Sequence, residues 1–283
     1  MAKEVKGENV LYHYLQKALR TEDVWLYQML VARLVVSLGV WFPVDVYRRL
    51  PIPLPFVVRD TKCRRPVDEW GAPDANGYFR DDNTMIKNLP KALSVGDSHF
   101  QEYRGRRLGT GFIAAHIWRE TTEGALASRL APTNSFIPNL VWLPSNVAKL
   151  TDAEGSFAQT FVQEISRKLY ADEEVSEPMR PFVDEAWSLL PNQRDFPIEG
   201  LPDREELNYF SVPDKFIDSQ VERIRKVAAG LEARGRCEIL ATKVQSSRYT
   251  EGLRALDPEA AKALSDKLHG YLEAIEASVP PTV

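Results

Sequence analysis

The chain has 283 residues, 44% of them hydrophobic and 27% charged, with a net charge of −4. A chain of this length and composition buries most of its apolar surface on folding, which excludes disordered, collagen-like and disulfide-stapled classes. Its two cysteines, Cys63 and Cys237, are far apart and have no metal-ligand spacing, so we expect no zinc knuckle and a reducing, cytoplasmic location.

The charge is unevenly distributed along the chain. Residues 1–119 carry 18 Lys/Arg against 13 Asp/Glu, and the remainder carries 18 against 27. Such an asymmetry is compatible with a positive face that binds a polyanion, although it does not require one.

The first part of the chain is predicted to be helical. Apolar residues recur at helical spacing over 9–20, and Thr21 restarts a second helix with acids in its first turn. The apolar stretch 24–42 contains Arg33, which would cost roughly 2.5–3.5 kcal/mol at the centre of a bilayer, so we expect a buried core helix and no membrane partner. Residues 56–60 predict a short strand.

The middle of the chain predicts the order strand, long loop, strand, helix. Residues 111–118 and 140–143 are apolar and aromatic, and Pro144 is suited to start a helix. A further helix is predicted over 156–170, where aromatic and aliphatic residues recur every four positions.

The later part of the chain predicts a connector and a helical end. Residues 171–212 are acidic and rich in proline, which favours surface loops. Asp214 and Asp257 are suited to begin the two final helices.

These patterns predict an α+β, predominantly helical fold. It would hold a small ββα core between N- and C-terminal helical extensions. The predicted regions are a helical region over 1–58, the core with basic flanks over 59–170, a connector over 171–212 and a helical region over 213–283.

Two side chains stand at the ends of the long loop in the core. His116 ends the first predicted strand, and Asn139 begins the second after a loop of 22 residues. Hydrolysis of a phosphodiester needs a base to activate water, a cation to stabilise the phosphate charge and a rigid frame to align them. A hairpin followed by a helix supplies such a frame.

Residues 111–152 resemble the core of an HNH-type (ββα-metal) nuclease, in the variant that has Asn in place of the last His and lacks a zinc knuckle. The resemblance implies that His116 is the general base and that Asn139 completes the catalytic pair by fixing the loop. It also implies a Mg²⁺ or another divalent cation, bound by Asn146 on the helix, with Asp152 as the alternative ligand.

The sequence departs from this family in two respects. Many members place an acidic or histidine metal ligand directly before the base, where this chain has Ala115. The interval from Asn139 to Asn146 is also about two residues short of the family pattern. A second ligand would therefore come from upstream, and the nearest candidates are Asp81, Asp82 and Asp97.

Basic residues flank the predicted core and are candidates for phosphate contacts. The predicted nucleic-acid-binding residues are Arg64, Arg65, Arg104, Arg106, Arg107 and Lys149.

The leading hypothesis is a metal-dependent DNA endonuclease of the restriction or defence kind, acting alone or as a homodimer. The first alternative is a non-catalytic DNA-binding or protein-interaction protein that retains a degenerate nuclease frame. A helical scaffold without nucleic acid is the second. The residues also have structural interpretations: His116 as a hydrogen-bonded core histidine, Asn139 as a turn residue and Asn146 as a helix-start residue.

Overall fold

The computed structural model describes residues 21–61, 70–96, 98–152, 154–192 and 200–278. The predicted helix over 9–20, Arg64, Arg65 and Asp97 lie outside these ranges.

The described chain forms an α+β fold with more helix than strand, which confirms the predicted class. The helices are α1 (Thr21–Leu38), α2 (Val44–Arg49), α3 (Thr84–Asn88), α4 (Ala131–Asn134), α5 (Ser145–Ala148), α6 (Phe157–Tyr170), α7 (Arg180–Ser188), α8 (Asp214–Gly235), α9 (Ser247–Leu253) and α10 (Pro258–Ala277). Short 3₁₀ turns occur at Ala127–Arg129, Ile137–Asn139, Lys149–Thr151 and Arg204–Glu206. The strands are β1 (Val40–Trp41), β2 (Val57–Arg59), β3 (Phe79–Asp81), β4 (Ser94–Val95), β5 (Phe112–His116), β6 (Leu140–Pro144) and β7 (Asn208–Ser211).

The main sheet has the strand order β4-β7-β1-β6-β5. Strands β1 and β7 are parallel, and the other neighbouring pairs are antiparallel. Strands β2 and β3 form a separate parallel pair, in which Arg59 lies opposite Asp81.

The predicted order of strand, long loop, strand and helix is present in this sheet. Edge strand β5 pairs with β6 from Phe112 opposite Pro144 to His116 opposite Leu140. Four apolar residues of β6 are fully buried, as expected of an internal strand. This register places His116 beside Leu140, the first residue of β6. After β6 the chain continues directly into α5 and a 3₁₀ turn.

One continuous cluster of buried apolar side chains runs from Val35 to Ile275. The C-terminal helices α8 and α10 pack along each other, and their apolar faces join this cluster. The helices predicted to begin near Asp214 and Asp257 are both present, and the Asp257 side chain caps α10 by accepting a bond from the Glu259 backbone N–H.

The prediction that residues 171–212 form loops was wrong. This segment contains α7 and β7, and β7 lies inside the main sheet between β4 and β1. Pro181 does not prevent helix formation because it occupies the first turn of α7, where its missing N–H has no intrahelical partner to lose.

The prediction of a buried helix over 24–42 was wrong for the first half of α1. Val31 and Val35 are buried, but the large apolar side chains before them are 38 to 57% exposed. These exposed residues are Val24, Trp25, Leu26, Tyr27 and Leu30. The core cluster begins only at Val35, so α1 packs on the domain through its C-terminal half.

Within the described ranges, no helix has both the length and the hydropathy that a membrane crossing requires.

Candidate functional site

A cavity of about 520 Å³ opens beside the end of β5. Its walls come from β5, the turn between β3 and α3, the loop between β5 and β6, and the end of the 3₁₀ turn after α5. This volume is typical of a small-molecule site. The residues that resemble a nuclease core therefore border a space large enough for a ligand.

His116 lines this cavity, and a backbone carbonyl fixes its tautomer. Its Nε2 lies 2.9 Å from the carbonyl oxygen of Asn134. Because a carbonyl can only accept a hydrogen bond, Nε2 carries the proton in the neutral ring and Nδ1 keeps the acceptor lone pair.

The surroundings of His116 also favour the neutral ring. Burial lowers the pKa of the imidazole to about 4, with a further lowering by the charge of Arg59 and an opposing effect of the bond to Asn134. The ring is therefore uncharged near neutral pH and Nδ1 has a free lone pair, but a pKa this low makes the imidazole a weaker base than a free histidine.

Asn139 ties the two ends of the long loop together. Its fully buried side chain accepts a bond from the Trp118 backbone N–H at 2.7 Å and donates to the Thr133 carbonyl at 3.0 Å. Asn134, which follows Thr133 in the loop, donates a hydrogen bond from its Nδ2 to the Val57 carbonyl of β2 at 3.0 Å. This network holds the Asn134 carbonyl against His116.

The opposite wall of the cavity is the turn between β3 and α3. Asn83 has a left-handed backbone with φ of 88°, which is uncommon for a residue other than glycine. Its Nδ2 reaches the Ala114 carbonyl at 3.5 Å, a weak bond. Its Oδ1 is buried and has no hydrogen-bond partner among the described residues. The turn thus contains a buried acceptor that has no partner among the described residues.

Asp81, next to this turn, is fully buried and receives the Met85 backbone N–H at 3.0 Å. Burial raises the pKa of its carboxyl to about 6; the bond from Met85 opposes this effect and the neighbouring charge of Asp82 adds to it. Asp81 is not among the residues that line the cavity, so it is a poor candidate for a metal ligand there.

The structure brings some of the predicted metal ligands to the cavity. Asp152 and Asp82 both line it together with His116, whereas Asn146 is exposed on α5 and is not part of the lining. Ala115 is buried in β5 and offers no ligand atom.

The described residues do not form a closed metal site at this cavity. In the part of the chain that the structure describes, no three His, Cys, Asp or Glu side chains are grouped so that they could hold a metal ion. Magnesium commonly uses only one or two protein carboxylates and completes its shell with water and substrate phosphates. Asp82 and Asp152 are the side chains that would supply those carboxylates.

Four cationic side chains line the cavity and outnumber its two carboxylates: Arg59, Lys87, Arg119 and Arg129. Arg119 is oriented by a bond of 2.8 Å to the Asp152 carbonyl. This excess of positive charge favours an anionic ligand.

The predicted phosphate contacts mostly lie elsewhere. Arg104, Arg106, Arg107 and Lys149 are exposed, and the structure does not bring any of them into the cavity lining. The backbone of Arg107 forms an isolated β-bridge with Ser94 of β4. Strand β4 lies at the opposite edge of the main sheet from β5.

Sequence reasoning missed the cations that do line the cavity. Arg119 and Arg129 lie in the loop between His116 and Asn139, so their position inside the nuclease-like segment was a usable signal. Lys87 had no such signal, because only the packing of α3 against β5 brings it to the site.

Comparison of the chain with family models, with curated proteins and with solved structures gives no match.

Proposed function

We propose that this cavity is the active site of a metal-dependent endonuclease that hydrolyses phosphodiester bonds in DNA. The observation that supports the proposal most is the state of His116. Its Nε2 is held by the Asn134 carbonyl, and the ring lies at the end of a ββα hairpin in a cavity with an excess of cationic side chains.

In this proposal each wall has a separate task. Arg59, Arg119 and Arg129 bind and orient the phosphate. His116 accepts a proton from the attacking water at Nδ1, while Nε2–H remains bonded to Asn134. The bonds of Asn139 hold the loop rigid, so that the base keeps its orientation during the reaction.

A divalent cation would supply charge stabilisation on the phosphate and the leaving oxygen. Asp82 and Asp152 are the residues proposed to hold it. The proposed enzyme acts in the cytoplasm, in keeping with the reducing environment expected from the cysteine content.

The proposal is tested by a plasmid and oligonucleotide cleavage assay with Mg²⁺ or Mn²⁺. His116→Ala is expected to reduce cleavage by about 10²–10⁴-fold, the usual contribution of a general base. The matched control is His99→Ala, because His99 is exposed, bonds the Glu205 carbonyl and lies outside the cavity. Removal of metal by a chelator should abolish cleavage in both the wild type and the control.

Full activity in His116→Ala would remove the proposed base. Activity that persists after thorough chelation would remove the metal from the proposal while leaving the base in place.

A second candidate function is nucleic-acid binding without catalysis. Ala115 in the position of a usual ligand favours it, as does the lack of a three-residue metal group in the described ranges. This candidate predicts binding whose log K falls linearly with log salt and no cleavage with any divalent metal.

A further inference from the structure

A second, smaller depression adjoins the cavity. It has a volume of about 50 Å³, and its lining includes Lys87, Lys91, Leu108, Gly109 and Phe112. We call it the side depression. Lys87 lines both the cavity and the side depression, so the two surfaces meet at this residue.

The side depression combines positive charge with an aromatic ring. Lys87 and Lys91 are exposed, and neither forms an ion pair with any described residue. No acidic residue is among the described residues that line it. Phe112 is only partly buried, so part of its ring is accessible.

The floor of the side depression is held by buried contacts. The Trp142 side chain is almost completely buried and donates from Nε1 to the Lys87 carbonyl at 3.2 Å. The Phe112 ring packs edge-on against Tyr103, with ring centroids 5.9 Å apart. The lysine backbone and the aromatic ring are therefore fixed relative to β5, the strand that carries His116.

A positive surface with an accessible aromatic ring is the usual combination for binding single-stranded nucleic acid. The lysines neutralise phosphates, and the ring stacks with a base. Such a base must be unpaired, because a base inside a duplex has no free face for the ring. The size of the cavity, that of a small-molecule site, suits one nucleotide rather than a duplex.

We infer that the substrate strand is single-stranded where it leaves the cavity and that it continues across the side depression. Its phosphates contact Lys87 and then Lys91, and one base stacks on Phe112. This inference rests on the proposed function, because it names the form of nucleic acid that the same site takes.

The test is binding of a fluorescent short oligothymidylate, followed by anisotropy without divalent metal so that no cleavage occurs. Lys91→Gln, at a residue outside the cavity lining, should weaken binding several-fold. It should also reduce the slope of log K against log salt by about 0.7, the value for one phosphate contact on a single strand. Lys215→Gln, an exposed lysine at the start of α8, is the matched control and should change neither quantity.

Phe112→Leu is the second variant, since it keeps an apolar side chain in β5 while removing the ring. It should weaken single-strand binding by about tenfold or more, in line with the loss of one stacked base. A thermal melt of each variant separates this effect from loss of folding.

Unchanged affinity and unchanged salt slope in Lys91→Gln would overturn the inference. Equal weakening for the oligothymidylate and for a duplex of the same length would overturn the single-strand assignment. The proposed function fails by a different readout, namely no cleavage by the wild type with Mg²⁺ or Mn²⁺, so the two failures are distinguishable.

Discussion

Two asparagines of the candidate site, Asn139 and Asn83, differ in how their side chains are satisfied. On one side lies the hairpin frame, residues 112–152, in which the buried amide of Asn139 has partners for both its oxygen and its nitrogen. On the other side lies the turn over residues 81–84, where Asn83 has a left-handed backbone and a buried Oδ1 without a partner among the described residues.

We infer from this difference that Asn139 stabilises the loop, whereas Asn83 occupies a position of the kind that contacts a ligand. A buried amide that is fully bonded stabilises a loop, and removing it leaves its partners unsatisfied. A strained residue with an unsatisfied acceptor costs free energy and is typical of positions that meet a ligand. We therefore expect substitution of Asn139 to reduce stability and substitution of Asn83 to affect it much less.

The largest effect is expected for Asn139→Ala. This change leaves the Trp118 N–H and the Thr133 carbonyl buried without partners, at about 1–3 kcal/mol for each group. The free energy of unfolding, measured by urea denaturation, should fall by about 2–6 kcal/mol on that basis.

The control for this prediction is Asn146→Ala, at an exposed asparagine of the same frame. Its stability should stay within about 0.5 kcal/mol of the wild type, as is usual for exposed positions. Equal losses in the two variants would show that Asn139 has no special role in holding the loop.

A smaller effect is expected for Asn83→Gly in the turn. Glycine adopts a positive φ without steric cost but gains more freedom in the unfolded chain, so the two effects oppose each other. The free energy of unfolding should remain within about 1 kcal/mol of the wild type. Asn83→Ala should be less stable than Asn83→Gly, because alanine lacks the tolerance of the left-handed region that asparagine has.

A loss in Asn83→Gly as large as that in Asn139→Ala would contradict the contrast between the two asparagines. So would an alanine variant that is more stable than the glycine variant.

The frame could be predicted from the sequence because its signals are local. The apolar runs of β5 and β6 and the helical spacing of α6 follow from side-chain periodicity. Ser156 caps α6 by accepting the Gln159 N–H, which is a start signal that the sequence shows.

The opposite wall could not be predicted because only tertiary contacts create it. Asn83 reaches Ala114 across 31 residues of chain, and no local pattern indicates that approach. For the same reason the distribution of charge in the sequence could not indicate which arginines line the cavity and which lie on the far side of the sheet.

The exposed half of α1 shows a different limit of predicting burial from the sequence. The apolar run there predicts burial, but hydropathy does not indicate which surface would cover a helix. Trp25 and Leu26 are not among the described side chains that pack against the core cluster, and both are more than half exposed.

The most direct test of the central claim is a ¹⁵N-NMR titration of His116 in the intact protein, assigned by comparison with His116→Gln. The structure predicts a neutral ring protonated on Nε2 and a pKa of about 4. Since this folded-state pKa lies below that of the unfolded chain, the ring contributes stability that is present above about pH 6.5 and is lost as the pH falls through 4. A ring protonated on Nδ1, or a pKa at or above 6.5, would contradict the buried, neutral ring with its Nε2–H bonded to the Asn134 carbonyl that the structure gives His116.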